Sequence, residues 1–298
     1  TGGAGFIGSN LVERLLSHGH EVTVVDDLST GLKSNLDLTK VTFHELSLTD
    51  RDGLAKAVKG VDAIVHLGAR GSVPRSLKNP IATHDVNATG TLNVLEAARS
   101  NGAHVIFSSS SSVYGRNGQL PKDESMWLSP LTPYAASKLA AEGYVQAYGA
   151  AYEVPVTLLR FFNVFGPKQR PDHEYAAVLP KWIWKAMNNE AIDVYGDGSQ
   201  TRDFTYVRTV LDVIEDAIKR GVRTVGAVNL AYGNRISLLT TIELLKGHFP
   251  DLKVNFLGDR PGDVKNSQND PVLLKRLFPS VVPTEFEVAL NETVNWLK

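Results

Sequence analysis

A chain of 298 residues, 43% hydrophobic and 21% charged, is long enough for one large α/β unit or two lobes around substantial cores, and too apolar to remain disordered. Its formal net charge of -1, with acids and bases interspersed, gives neither a basic footprint for nucleic acid nor a polybasic membrane patch, so the expected partner is a small molecule. The absence of cysteine excludes disulfides, thiolate metal sites and a cysteine nucleophile. The eight histidines form no ligand pair at helical spacing, so no metal is expected, and no apolar run is long enough to span a bilayer.

The chain opens Thr1-Gly2-Gly3-Ala4-Gly5-Phe6-Ile7-Gly8. These glycines lead into a helix with Ile7, Leu11 and Leu15 on one stripe, ended by the turn His18-Gly19-His20. Motifs of this kind follow a strand, so a short strand is expected ahead of Thr1, and a targeting segment there stays open. The strand predicted over residues 22–25 runs into Asp26 and Asp27. Glycines so spaced let the backbone approach a pyrophosphate at a helix N-terminus, and an acid ending the next strand accepts hydrogen bonds from adenosine ribose hydroxyls. Asp26 would repel a 2'-phosphate, which favours NAD over NADP.

Alternation continues with strands over 41–44 and 63–67, a helix from about 81 to 98, a strand over 105–108, a long helix from Pro133 and a strand over 156–161. Such alternation describes a parallel, doubly wound α/β sheet of Rossmann type, with catalytic groups at the carboxyl ends of its strands. After Phe162 the pattern changes. Gly, Pro and charge fill 166–174, and 196–202 is rich in turn residues. A strand and helix over 204–220 and a strand over 227–230 return to the earlier style. Beyond Arg235 come a helix over 238–249, a strand near 254–256 and a terminal helix opened by the capping box Thr284-Glu285-Phe286-Glu287. The expected organisation is a Rossmann domain of residues 1–162 plus about 204–233, and a smaller, discontinuous α+β lobe of about 163–203 plus 234–298.

The chemistry sits in Tyr134-Ala135-Ala136-Ser137-Lys138. Of the nine tyrosines, only Tyr134 has a lysine four residues on, on the same helix face, where an ammonium can stabilise a phenolate and leave a base usable near neutral pH. Tyr144, Tyr148 and Tyr152 read as a packing stripe.

Together with that motif, TGGAGFIG, Asp26, SSSSVYG (residues 109–115) and RFFNVFGP (residues 160–167) resemble the extended short-chain dehydrogenase/reductases, specifically the nucleotide-sugar 4-epimerases. The likeness continues through GDGSQTRDF (196–204) to RPGDV (260–264). It implies NAD as cofactor, a UDP-sugar as substrate, a homodimer built through two helices per subunit, and a cytoplasmic location.

On this resemblance Tyr134 takes the proton from the sugar O4, Lys138 holds the nicotinamide ribose and lowers the tyrosine pKa, and Ser110 relays protons. Around the cofactor it places Gly2, Gly5, Phe6, Ile7, Gly8, Asp26, Asp27, Ser29, Thr30 and Gly31, then Ser47, Leu48, Leu67, Gly68, Ala69, Arg70 and Asn87, and last Ser108, Phe161 and Phe162. Ser47 stands where the family commonly has an acid near the adenine. Around the substrate it places Gly71, Ser72, Ser110, Ser111, Asn163, Arg170, Ala177, Val178, Tyr195, Arg202, Arg260, Asp263 and Ser267. Arg202 and Arg260 suit a diphosphate because a guanidinium fork bonds phosphate oxygens in pairs.

Nucleotide-sugar dehydratases of this fold need an Asp-Glu pair after the catalytic Ser or Thr, and here Ser111 and Ser112 occupy those positions. Gly71, Ser72, Ala177 and Ser267 are small and leave room for a 2-acetamido group, whereas Arg170 resembles the arginine that meets the carboxylate in UDP-glucuronate 4-epimerases. The expected activity is that of a UDP-hexose 4-epimerase acting on plain or N-acetylated sugars. UDP-glucuronate epimerisation, UDP-uronate decarboxylation and a catalytically silent NAD-binding sensor or scaffold stay open.

Overall fold

A computed structural model describes residues 1–171, 177–258 and 265–298. Helices and strands alternate from the start: α1 (Phe6–Ser17), β1 (Thr23–Asp26), β2 (Thr42–Glu45), α2 (Arg51–Ala57), β3 (Ala63–His66), α3 (Val73–Lys78), α4 (Pro80–His84), α5 (Gly90–Asn101), β4 (His104–Ser110), α6 (Pro133–Ala151) and β5 (Val156–Phe161). The second half is more broken: β6 (Val164–Phe165), α7 (Val178–Met187), β7 (Ile192–Tyr195), β8 (Thr201–Arg202), β9 (Thr205–Tyr206), α8 (Val207–Arg220), β10 (Ala227–Leu230), β11 (Ile236–Ser237), α9 (Leu238–His248), β12 (Val254–Leu257), α10 (Val272–Leu277) and α11 (Phe286–Leu297).

The central sheet is parallel, in the order β10-β5-β4-β3. A parallel β1-β2 pair continues it through the first two residues: Thr1 bonds β3 through its amine to Val65 O (2.9 Å), and Gly2 N donates to Val25 O (2.8 Å) on β1. Helices α2, α5 and α6 cover one face; α1 and α8 pack together on the other. The strands read as near-continuous apolar runs because both faces are covered: Val105, Ile106 and Phe107 on β4 are each at most 1% exposed.

Beyond Phe161, β10 joins the central sheet, and among the described residues the other strands pair in twos, β12 with β7, β8 with β11, β6 with β9. These pieces do not form a core of their own. Leu179, Ile192, Ile242 and Phe286 belong to one apolar cluster with Ile106, Leu159 and Val228 of the central sheet, so these pieces share a core with that sheet. Among the described residues no helix is long and apolar enough to cross a membrane.

Three local expectations change. The helix expected over 81–98 begins at Pro80 and passes through a π-helical stretch, Asp85–Thr89, before α5. Helix α11 starts one residue later than the capping box implies: its N-cap is Glu285, with no side-chain capping bond among the described residues, and Thr284 N instead donates to Thr209 Oγ1 at 3.2 Å. Tertiary packing sets this start, because Phe286 stacks on Phe204 at 5.2 Å. Of the tyrosine stripe only Tyr148 is buried, bonded to Glu96 at 2.6 Å; Tyr144 and Tyr152 are exposed.

Candidate active site

A cleft of about 490 Å³ lies at the carboxyl ends of the strands, where an open α/β sheet offers its ligand site. Its floor at one end is the glycine turn before α1. Gly2 has φ +71°, and a Cβ there would come within 2.6 Å of Gly68 N; at Gly8 it would meet Gly2 O at 2.1 Å. Only glycine lets these segments close on each other, and the first-turn N–H groups of α1, with no carbonyl inside the helix to bond, are left to an anion. Gly5, Phe6 and Ile7 line the same end.

Asp26 ends β1 and is 9% exposed. Its Oδ2 accepts Ala4 N and its Oδ1 accepts Leu28 N, both at 2.9 Å. The carboxylate therefore clamps the glycine turn to the segment after β1, and each oxygen keeps a lone pair for a further donor. Asp27, Ser29 and Thr30 continue the wall; Gly31 lies behind it, packed on Ala4.

At the other end, three elements converge. Helix α6 forms because Thr132 caps it, accepting Ala135 N, and Pro133 is preorganised at its first turn. It carries Tyr134 and Lys138 against the end of β4. Tyr134 shares a hydrogen bond with Ser110, and burial raises its pKa above the ordinary phenol value while that bond acts the other way. Lys138 is 4% exposed and donates to Ser108 O at 2.8 Å; burial lowers its pKa to about 8, with the charge of Glu142 opposing the fall. Burial is the larger influence on the phenol, and the spacing of the motif says nothing of burial.

The loop after β3 supplies Leu67, Gly68, Ala69, Arg70, Gly71 and Ser72 to the cleft, and Leu48, Ser108, Phe161, Asn163, Arg170 and Ala177 complete the wall with the residues above. Asn87 stands behind it: from the π-helical stretch its Oδ1 accepts Arg70 N (2.7 Å) and its Nδ2 donates to Ser137 Oγ (2.9 Å), tying that loop to α6. Asn163, with φ +36°, donates to Asp203 O at 3.0 Å.

Other expected site residues are placed elsewhere. Phe162 is 1% exposed and packed with Val113, Tyr114 and Ala231, because strand alternation turns it away from its cleft-lining neighbour Phe161. Ser47 closes a local turn with Thr49, and Ser111 opens the 3₁₀ turn after β4. Val178 begins α7, and Tyr195 ends β7 with 41% exposure. Arg202 Nη1 donates to Thr201 O at 3.0 Å, and Ser267 N to the same carbonyl at 3.0 Å, so these two share the β8 edge outside the cleft wall. Arg260 and Asp263 lie outside the described residues.

The wall also contains residues that pattern reading passed over. Lys168 and Gln169 sit within the Pro167–Pro171 stretch from which only Arg170 was singled out, and Arg75 comes from the short helix α3, whose Ser72 cap and Pro74 were a readable start signal. Ser109 lines the cleft as well. Among the described residues, Arg70 Nε and Gln169 Oε1 are buried without a hydrogen-bond partner.

The glycine turn, a helix N-terminus, an acid at the end of β1 and a cleft running to Tyr134 fit a dinucleotide. Comparison agrees: residues 1–231 match the NAD dependent epimerase/dehydratase family. A UDP-N-acetylglucosamine 4-epimerase from Methanobrevibacter ruminantium M1, solved in complex with UDP-N-acetylmuramic acid, superposes with a TM-score of 0.93 at 38% identity over 99% of this chain and 96% of that one. A putative UDP-glucose 4-epimerase of Methanocaldococcus jannaschii is 33% identical over 100% of this chain and 97% of its own length. UDP-glucuronic acid decarboxylase 1 of Danio rerio is 34% identical over 99% of this chain and 71% of its own length.

Proposed function

For a chain that belongs to the NAD-dependent epimerase/dehydratase family, and whose cofactor is therefore NAD, we propose the activity of a UDP-hexose 4-epimerase, on plain and N-acetylated sugars. The observation that carries it is the convergence of Ser110, Tyr134 and Lys138 at one end of a cleft whose other end fits a dinucleotide.

NAD, which the glycine turn before α1 and Asp26 would hold, would supply reversible hydride chemistry at the sugar C4. Everything else falls to the chain. Tyr134 removes the O4 proton, Ser110 bridges phenol and sugar hydroxyl, and Lys138 supplies fixed positive charge. The buried phenol is a poor base until positive charge is held near it, and Lys138, one helical turn on, is the residue placed to supply that charge.

Ser111 and Ser112, in place of a carboxylate pair, leave no acid to expel a 6-hydroxyl. Gly71, Ser72 and Ala177 keep the sugar end roomy. The second reading, a UDP-uronate as substrate for epimerisation or decarboxylation, draws on Arg70, Arg75 and Arg170, which bring guanidinium groups to the same cleft. Retention of the whole Ser110, Tyr134, Lys138 set speaks against a silent binder. Asn163, Arg202, Arg260, Asp263 and Ser267 are assigned to the UDP-sugar, and a homodimer through α5 and α6 belongs to the same proposal.

The test is an NMR assay with UDP-glucose, UDP-N-acetylglucosamine and UDP-glucuronate offered separately and without added reductant. A galacto epimer from either of the first two is expected. Turnover of the glucuronate alone would shift the assignment to the second reading.

A further inference from the structure

Behind the wall that presents Ser110 lies a buried ion pair with no part in the chemistry described so far. Glu142, one helical turn beyond Lys138, is 1% exposed, and Arg160 on β5 is 3% exposed. Arg160 Nε donates to Glu142 Oε1 at 3.0 Å and Nη2 to Oε2 at 2.8 Å. Oε1 also accepts Ser109 Oγ at 2.5 Å, and Arg160 Nη1 donates to the Tyr114 hydroxyl at 2.9 Å, which in turn donates to Asn229 Oδ1 at 2.8 Å. A buried pair of this kind is a weak source of stability, since desolvation costs about as much as attraction returns. Its location points to another use.

We propose that Glu142 is a positioning residue for the tyrosine–lysine pair, its carboxylate keeping the Lys138 ammonium charged from one turn away while its bond to Ser109 fixes the β4 end that carries Ser110. The inference rests on Tyr134 acting as the base.

The surroundings of Lys138 offer few other sources of negative charge. Its own helix contributes Tyr134 and Glu142. From β3 comes His66, bonded to Thr1 Oγ1 and Thr91 Oγ1 and held neutral by burial first and by Lys138 second. The Thr1 amine stands on the same side, and β5 contributes Arg160, whose fork is turned onto Glu142. Strand β4 offers the Ser108 carbonyl and the Phe107 ring, 5.1 Å from Nζ. Arg75, Lys78, His84 and Asp85 lie on the helices that lead into α5. Glu96 on α5 is spent on Arg99 and Tyr148, well along α6. Glu142 is the carboxylate whose charge acts on Lys138.

The Lys138 ammonium can be followed directly by lysine-selective ¹³Cε NMR, its resonance assigned with Lys138→Met. Glu142→Gln keeps shape and the Ser109 bond but strands Arg160, so Glu142→Gln/Arg160→Met, which removes both charges together, is the companion variant. In Glu142→Gln the Lys138 titration midpoint is expected to fall by about one unit, and the alkaline limb of kcat to move down with it; the double variant, which also loses the Arg160 cation, falls by less, and Glu142→Asp, which keeps the charge, holds the midpoint near the wild-type value. A midpoint unmoved in a folded, NAD-binding variant would reduce Glu142 to a packing role and overturn the proposal. The titration needs no turnover, so a wild-type protein that epimerises nothing would count against the reaction while leaving this question answered separately.

Discussion

Two buried carboxylates show how differently the two halves of the molecule are held. Glu215, on α8, bonds Arg14 Nε at 2.6 Å on α1, His18 Nδ1 at 2.5 Å at the C-cap of α1, and Lys219 Nζ at 2.7 Å on its own helix. Burial acts upward on its pKa, but the bonds from Lys219, His18 and Arg14 outweigh it and bring it down to about 2. Asp203, between β8 and β9, is fully buried and accepts the backbone N–H groups of Gly233, Asn234 and Asn269 at 3.1, 3.1 and 2.8 Å. Here burial outweighs the three N–H bonds and pushes the carboxyl up to about 7. One site is pinned by side-chain charge, the other by a carboxylate gathering two distant stretches of backbone.

The largest effect that can break this picture is at the chemistry itself. Tyr134→Phe removes the proton acceptor and is expected to lower kcat by about 10²- to 10⁴-fold, with NAD still bound as seen by its absorbance on denaturation; near-normal turnover would remove Tyr134 from its role. Gly8→Ala comes next. The added methyl would sit 2.1 Å from Gly2 O, with backbone on both sides, and is expected to cost about 2–3 kcal/mol in denaturant unfolding together with copurified NAD. Retained cofactor at wild-type stability would contradict the tight glycine cradle.

Asp203→Asn replaces an acceptor by a group that is half donor. It should cost about 1–3 kcal/mol and raise KM for the UDP-sugar more than it lowers kcat, since Asn163, Arg202 and Ser267 all lie beside that junction. An equal loss in kcat alone would mean that the junction does not hold the substrate side.

The smallest effect is in pH, and it carries opposite signs in the two halves. Asp203 has a folded pKa near 7 against an unfolded 3.8, so its contribution is full below the unfolded value and is lost as pH rises through 7. Glu215 has a folded pKa near 2 against 4.5, so its contribution is full above 4.5 and is lost as pH falls through about 2. Amide exchange at Gly233, Asn234 and Asn269 should therefore become better protected, relative to α1, between pH 7 and about 4.5. The difference should widen further in stronger acid, as α1 loses the Glu215 contribution while that of Asp203 is full.

The same contrast explains what was legible in the sequence. Strands β1, β3, β4, β5 and β10 are marked by local apolar runs, and the glycine turn, Asp26 and the Tyr134–Lys138 pair are short-range patterns whose geometry follows from spacing. The partners of Asp203 lie 30 and 66 residues away and are backbone amides, which no side-chain pattern records. Phe162 was misplaced by one step of strand alternation, and the capping box at Thr284 lost to the packing of Phe286. Burial was the quantity missing at the site: motif spacing placed Lys138 beside Tyr134, but not the desolvation that raises one pKa and lowers the other.

The most direct test of the account follows the C4 hydrogen. Epimerisation of UDP-glucose or UDP-N-acetylglucosamine run in D₂O and read by NMR should yield the galacto epimer with protium retained at C4, because on the proposed mechanism NAD would supply the hydride chemistry and Tyr134 would handle only the O4 proton. Deuterium at C4 would show that a proton, not a hydride, is exchanged there, and would contradict the mechanism assigned to Ser110, Tyr134 and Lys138.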